Sequence, residues 1–498
     1  MIGRFALFTA TILLAGCSFE PAYRRPTPAI PAVLPDAGQT ATAPAALSYR
    51  DIFRDPDLVY LIDQALANNQ DLKAAYANVL AARALVAVQQ AELLPMINGV
   101  GSYNSGDSSN ETRGSTGTNG NTGGNGNGNG NGVSSGGRRQ TYTAQLSASW
   151  EIDLFGRIRS LSNAALNEFY ASDAAQRGTR LTVVAGVANA YLQLAADRSL
   201  LAIATDTRAS AARSVELTRS LLDGGVAPRT DLRQAETVLV QAEADQAALE
   251  TAVAQDRNAL ELLVGAPVRD DLLPASIESV GGLLAEVPAG LDSSILLGRP
   301  DVVQAEYGLR AANARIGAAR AAFFPQISLT AFAGFASSAL SNLFQGDAFA
   351  WGVTPQASQP IFAPGALGNL RYIKAQRDLT LAQYQKAIQT AFRDVADALA
   401  RRATIDRQLD ATTRLDAAAR DSLMLSTARY REGIDPYLNT LDAQRTAYSA
   451  ARTLASTRLI KAQNLVALYQ SLGGDQLVDA TQPSQAGNRA KRQDEMPR

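Results

Sequence analysis

Residues 140–156 read QTYTAQLSASWEIDLFG, and this stretch determines the fold. From 140 to 150 apolar and small residues alternate with polar ones, which is the period of a β-strand with two different faces. After Gly156 no proline occurs before Asp223. Because proline is the strongest helix breaker, we expect the strand to continue into one helix of about 65 residues.

The same alternation recurs over 325–335 and 349–358, and less regularly over 96–105. About eleven residues with one apolar face and one face of small polar residues fit a transmembrane strand beside a wet lumen. A half-buried strand in a soluble sandwich has the same pattern. Alternation by itself leaves both interpretations open.

A second very long helix is predicted between Gly365 and Gly433, where proline is again absent. Apolar residues in both helical regions recur at alternating steps of three and four, so we expect lengthwise packing as in coiled coils. The two seams are Leu381, Tyr384, Ile388, Ala391, Val395, Ala398, Ile405 and Leu409, and Leu232, Ala235, Leu239, Ala242, Leu249, Val253, Leu260 and Leu263. A purely structural coiled coil would carry the same seams.

The chain repeats itself once. Ala81, Ala82, Ala84, Ala91, Pro95 and Ile97 recur 230 positions later, and Gly225, Pro228, Ala235 and Gly265 recur 208 positions later. The offset falls because the first copy contains a Gly/Asn-rich loop at 114–137. Each copy has the order helix, two strands, very long helix, tight turn, helix, which indicates duplication. We predict repeats over 51–275 and 285–474, and a disordered tail over 475–498.

The N-terminus has the features of a processing signal. Arg4 precedes an apolar run at 5–14 that is too short to cross a bilayer, and the sequence LAGC follows at 14–17. This resembles a bacterial lipobox, in which the cysteine is lipidated and becomes the first residue. We therefore predict a signal peptide at 1–16, a lipid on Cys17 and a proline-rich extended segment over 17–50. Ser18 favours sorting to the outer membrane.

Composition excludes several classes of function. The 46 Lys and Arg nearly balance the 47 Asp and Glu, so the net charge of -1 offers no basic surplus for nucleic acid. The absence of His removes the commonest general base and metal ligand. The single Cys excludes internal disulfides and thiolate clusters. We expect no catalysis, no metal and no cofactor apart from the covalent lipid.

Four strands per chain are too few to close a membrane barrel. Open strand edges in lipid leave backbone groups unpaired at a cost of several kcal/mol each, so copies must associate. An eight-stranded barrel from two chains is filled by its own side chains, whereas twelve strands leave a lumen. On the hypothesis that a pore is required, we predict a homotrimer.

The order of elements, the duplication and two motifs resemble the TolC-like outer membrane factor family, in its OprM-like lipoprotein branch. The motifs are WEIDLFG at 150–156, at the strand-to-helix junction, and LDAQR at 441–445, after the second helical turn. The resemblance covers about 51–474 and the lipobox. It implies an α+β, mainly α, fold: a trimeric twelve-stranded β-barrel in the outer membrane, continued by a long-helix α-barrel across the periplasm. It also implies the exit duct of a tripartite pump, with a periplasmic adaptor and an inner-membrane RND-type transporter as partners.

The resemblance further implies roles for the two helix-to-helix turns. These turns would form the periplasmic end, where the adaptor docks. The docking residues would be Gly224, Gly225, Pro228, Gly433 and Pro436. From the sequence alone, glycine after one helix and proline before the next are ordinary helix punctuation.

A gate is implied just beyond the second turn. Leu438, Asp442 and Arg445 are spaced i, i+4, i+7 and so share one helix face. The motif match implies that Leu438 is a constriction residue, that Asp442 forms an acidic ring and that Arg445 is its basic partner. Without the family resemblance, each would be read as a solvated residue on a helix end.

Other residues of the implied gate lie at and near both turns. Thr230 and Asp231 match positions that bond across to the neighbouring coil, and Tyr430 matches the aromatic partner. Asp435 stands where the TolC branch has Arg, so the latch differs here.

Three functions remain open at this point. The leading one is a passive efflux duct for drugs and other toxic small molecules. The exit duct of a type I protein-secretion system would have the same fold. A lipid-anchored coiled-coil scaffold without a pore belongs to another class, and a conductance measurement would distinguish it.

Overall fold

The computed structural model describes residues 18–28, 30–31, 48–107, 138–280 and 293–474. The predicted signal peptide, Cys17, the loop at 114–137 and the tail at 475–498 lie outside these residues. The helices are α1 (Tyr49–Ile52), α2 (Pro56–Asn68), α3 (Gln70–Ala91), α4 (Arg157–Asp223), α5 (Arg229–Val264), α6 (Ile277–Val280), α7 (Pro300–Ala321), α8 (Pro364–Arg431) and α9 (Tyr437–Ser471). The strands are β1 (Met96–Asp107), β2 (Arg138–Ile152), β3 (Gln326–Ser337) and β4 (Phe349–Ser358). All four predicted strands are therefore present, and the two long helices have 67 and 68 residues.

The chain divides into two compact units. The sheet unit comprises the described residues within 84–165 and 312–375, together with 18–22. The helical unit comprises the described residues within 23–83, 166–311 and 376–474.

The sheet unit contains one antiparallel sheet with the strand order β1-β2-β3-β4. Residues directly opposite one another on neighbouring strands point to the same face of the sheet. Each row of facing residues therefore shows whether that face is apolar or polar. One row is Ile97, Ala148, Ala331 and Val353, and the neighbouring rows on this face are also apolar or small as far as the Tyr103–Tyr142 pair. The opposite face carries mainly Ser, Thr, Gln and Asn. In the described chain β1 and β4 are the edges.

Two ion pairs brace the turn from β2 into α4. Glu151 accepts two hydrogen bonds of 2.8 Å from Arg157, and Asp153 accepts the backbone N–H of Arg159 at 2.9 Å and its side chain at 3.3 Å. Gly156, between them, has φ +71°, a conformation that favours glycine. The acidic residues and the glycine of the WEIDLFG motif are thus explained by the geometry of this turn.

The helical unit is held together by the predicted seams. On the α8 seam Tyr384, Ile388, Ala391, Val395, Ala398 and Ile405 are buried, and on the α5 seam Leu232, Ala235, Ala242 and Leu260 are buried. The largest core also contains α2 and the middle of α4. In the part of the chain that the structure describes, no helix is both long and apolar enough to cross a membrane.

The two halves of the chain have the same order of elements. α3, β1, β2, α4 and α5 correspond to α7, β3, β4, α8 and α9. The boundaries of the repeats, 51–275 and 285–474, stay predictions.

Candidate functional site: the two helical turns and the α9 face

The turn between α4 and α5 and the turn between α8 and α9 have one geometry. In the first, Gly225 N donates to Leu222 O and Val226 N to Leu221 O, both at 2.9 Å. In the second, the equivalent bonds run from Gly433 to Tyr430 and from Ile434 to Arg429 at 3.0 and 2.9 Å. This is the Schellman pattern, in which a residue with positive φ ends the helix. The glycines have φ +70° and +72°.

Proline then starts the next helix at both turns. Pro228 and Pro436 occupy the N-cap positions of α5 and α9, with extended backbone. The punctuation predicted from the sequence is therefore observed, and the two halves present matching turns.

Substituting Gly433 tests how much the turn between α8 and α9 depends on a positive φ at this residue. A Cβ at Gly433 meets nothing within 4 Å, so only the positive φ penalises a side chain. We expect Gly433→Ala to destabilise the turn by about 1 kcal/mol. Local hydrogen exchange of residues near the turn measures this, with Gly346→Ala, which also meets open space but has no positive φ, as the control. Equal exchange in both variants would contradict the expectation.

An apolar cluster lies directly behind the turns. It consists of Val215, Leu232, Ala235, Tyr430, Tyr437 and Leu441. The rings of Tyr430 and Tyr437 meet edge to face at 5.2 Å, and the Tyr430 hydroxyl donates to Thr218 Oγ1 at 3.5 Å. Burial raises the pKa of Tyr437 to about 12, and the neighbouring Tyr430 adds to the effect. The cluster joins α4, α5, α8 and α9 just behind the turns.

The first turns of α9 present two different faces. Tyr437, Leu441 and Gln444 are buried, whereas Leu438, Asp442 and Arg445 are exposed. Asp442 is the only acidic residue of α9. Among the described residues, Asp442 and Arg445 form no ion pair or hydrogen bond, with each other or with another residue. The helical spacing thus places the three predicted gate residues together on one exposed face.

The bonds of Thr230 and Asp231 to the neighbouring coil stay a prediction. Within the described chain neither side chain forms a hydrogen bond or an ion pair, and Thr230 is exposed. Asp231 acts on Tyr430 and Tyr437 only through its charge, which contributes to raising their pKa values. The bond from Tyr430 goes to Thr218 instead, because Thr218 on α4 lies opposite it.

Asp435 forms a contact inside its own turn. Arg429 donates to its two carboxylate oxygens at 2.6 and 2.9 Å. The hydrogen bond from Arg429 holds the pKa of Asp435 below its usual range. The Arg429–Asp435 pair spans Gly433 as the Glu151–Arg157 pair spans Gly156. Opposite charges six residues apart across a glycine were a sequence signal for both pairs.

The comparisons with known proteins agree with this architecture. The model of a family described as outer membrane efflux protein matches residues 61–266 and 291–474. The chain belongs to this family. In the residues that the structure describes, no group of three or more His, Cys, Asp or Glu side chains could hold a metal ion.

Relatives in the outer membrane efflux protein family match over nearly their whole length. Solvent efflux pump outer membrane protein SrpC of Pseudomonas putida is 41% identical over 475 residues, which cover 93% of this chain and 97% of SrpC. The crystal structure of CusC, which is the cation efflux system protein of Escherichia coli K12, has a TM-score of 0.78 at 34% identity. It covers 92% of this chain and 100% of CusC. The open state of the Neisseria gonorrhoeae MtrE outer membrane channel also has a TM-score of 0.78, at 33% identity, and covers 92% of this chain and 98% of MtrE.

These findings confirm the predicted family, fold class, function and location. The protein is the outer membrane channel component of an efflux pump, with the α-barrel plus β-barrel fold, and it extends into the periplasm. A pump implies further components. The sequence reasoning missed Thr218 and Tyr437, because their contacts depend on which helices pack together. It also missed Arg429, whose signal was the opposite charge of Asp435 six residues later.

Proposed function

We propose that three copies of this chain form one passive exit duct through the outer membrane, anchored by a lipid on Cys17. The observation that carries the proposal is the sheet, which has one face that is apolar or small as far as the Tyr103–Tyr142 pair, and two free edges in the described chain. Pairing β4 of one copy with β1 of the next satisfies both edges, which is required in hydrocarbon. Three copies supply twelve strands, with the polar face toward water.

We propose that the helical turns form the periplasmic end of the duct. Gly224, Gly225, Pro228, Gly433 and Pro436 would shape the surface on which a periplasmic adaptor docks. Leu438, Asp442 and Arg445 would face the threefold axis as the gate. The support for this is their shared exposed face, and the fact that Asp442 and Arg445 form no ion pair or hydrogen bond with any residue that the structure describes. An interchain pair would satisfy both charges at the axis.

We propose small toxic molecules as the cargo, driven by an RND-type transporter in the inner membrane. SrpC is named for solvent efflux and CusC for cation efflux. The polar sheet face offers Ser, Thr and Gln side chains, which favour no single cargo, so the transporter would select the substrate.

Deleting the gene tests the proposal. We expect increased sensitivity to organic solvents, antibiotics or metal ions, restored by the wild-type gene. Loss of a secreted protein with unchanged sensitivity would favour the type I secretion duct instead. Purified protein that fails to conduct ions in planar bilayers would contradict the duct itself.

A further inference from the structure

The loop between β3 and β4, residues 338–348, is here called the outer loop. It lies at one end of the sheet, and α7 enters β3 and α8 leaves β4 at the opposite end. Because the long helices extend into the periplasm, the outer loop lies on the outer side of the membrane. A loop in this position meets either water or the outer leaflet.

The outer loop is poor in charge for a segment beside water. Asp347 is the only charged residue between 338 and 348, and the whole stretch 326–358 contains no Lys or Arg. The connection between β1 and β2 at the same end of the sheet has a different composition, because Val133 is the only aliphatic or aromatic residue at 114–137. An apolar composition is therefore particular to the outer loop.

The outer loop is folded back on itself. Two short 3₁₀ turns, Leu340–Asn342 and Gly346–Ala348, make up much of it. Four of its backbone N–H groups donate to carbonyls of the same loop at 3.0 to 3.3 Å. The donors are Asn342, Leu343, Gln345 and Ala348. Backbone pairing inside the loop lowers the cost of approaching hydrocarbon.

Phe344 connects the outer loop to the apolar face of the sheet. Its ring meets the ring of Phe335 edge to face at a centroid distance of 5.5 Å, and Phe335 meets Phe349 in the same way at 5.5 Å. Phe335 and Phe349 lie opposite each other on this face, and the Tyr103–Tyr142 pair lies on it at the same end of the sheet. Aromatic residues gathered at one end of an apolar face are typical of the membrane–water interface. The outer loop is therefore joined to the lipid-facing side of the sheet.

Two large apolar side chains of the outer loop are left exposed. Leu340 is 63% exposed, and Phe344 is 73% exposed although it contacts Phe335. Trp351, on the apolar face of β4, is also largely exposed. Apolar surface is more stable out of water, so these side chains favour hydrocarbon beside the sheet.

We propose that the outer loop is a lipid-binding surface, on which Leu340 and Phe344 contact the acyl chains of the outer leaflet beside the barrel. The loop has no cation to offer to a phosphate, so its ligand is hydrocarbon and not a lipid head group. Phe335 lies on β3, one strand away from the free edge of β4, so a second copy paired at that edge need not cover Phe344. The inference rests on the orientation of the sheet proposed above.

Site-specific labelling of the purified full-length protein in liposomes tests the outer loop. The fluorophore NBD is attached to Leu340→Cys or to Phe344→Cys, and to Gly346→Cys as the matched control, where a Cβ meets nothing within 4 Å. We expect phospholipids with a nitroxide on the acyl chain to quench the labels at 340 and 344 severalfold more strongly than the label at 346. Iodide in the water should quench in the reverse order. Unsubstituted protein measures any label on Cys17.

A label on Val353→Cys separates the outer loop from the orientation of the sheet. Val353 lies in the middle of the apolar face, so nitroxide lipids should quench this label too. If they do not, the proposed orientation is wrong. If they do, but the labels at 340 and 344 behave like the label at 346, the lipid-binding loop alone is overturned. Labels at 340 and 344 that are shielded from both quenchers would also overturn it, because a neighbouring copy would then cover the loop.

Discussion

Val353→Arg is expected to prevent the protein from assembling in the outer membrane, while Thr354→Arg is expected to be tolerated. The two positions are adjacent in the middle of β4, and both side chains are exposed in the single chain. Val353 lies in the apolar row with Ala331, whereas Thr354 lies opposite Thr330 on the polar face. The introduced arginine is expected to cost free energy only at the position that faces lipid.

The expected size of the effect follows from the depth of the position. Arginine near the midplane on the lipid face of a membrane barrel costs about 2–4 kcal/mol. Three copies would accumulate roughly 6–12 kcal/mol in one barrel. This is comparable to the whole stability of an ordinary domain.

The measurement is the amount of assembled protein in the outer membrane fraction, as heat-modifiable oligomer on gels. If Thr354→Arg is the damaging variant, the assignment of the two faces is reversed. If neither variant has an effect, the sheet does not lie in lipid.

Asp442→Ala and Arg445→Ala are expected to raise the single-channel conductance of the purified protein. In the proposed trimer three copies of each residue surround one axis, and within the described part of the chain neither side chain forms an ion pair or a hydrogen bond. A hydrogen bond to a charged group contributes about 1.5–3 kcal/mol. Its loss would shift the opening equilibrium roughly ten- to hundredfold.

Two further variants sharpen this experiment. The exchange Asp442→Arg/Arg445→Asp should restore the low conductance if the two residues pair with each other between chains. Asp421→Ala removes an exposed acidic residue of α8 and should leave conductance unchanged. Unchanged conductance in both single variants would remove the gate assignment, although the duct itself would stand.

Local sequence patterns were sufficient for the secondary structure. Alternation at 140–150 predicted β2 because successive side chains of a strand point to opposite faces, whatever the strand pairs with. The absence of proline from Arg157–Asp223 and the heptad seams predicted the long helices for an equally local reason. The glycines and prolines of the two turns were also predictable, because helix termination depends on a few neighbouring residues.

Contacts between distant segments could not be predicted in this way. Tyr430 was expected to act with Thr230 and Asp231, but its hydroxyl meets Thr218. That contact depends on the relative rotation of packed helices. The Arg429–Asp435 pair, by contrast, lies within one turn and had a sequence signal in its opposite charges.

The sequence by itself determined that this chain makes four two-faced strands and two helices of about 100 Å, and that one structural unit occurs twice. It did so because periodicity and helix breakers act over a few residues. Only the tertiary structure decided that Tyr23 lies against Glu306 in the helical unit, although 283 residues separate them. Burying such a carboxylate requires partners from remote parts of the chain, and only folding brings them together.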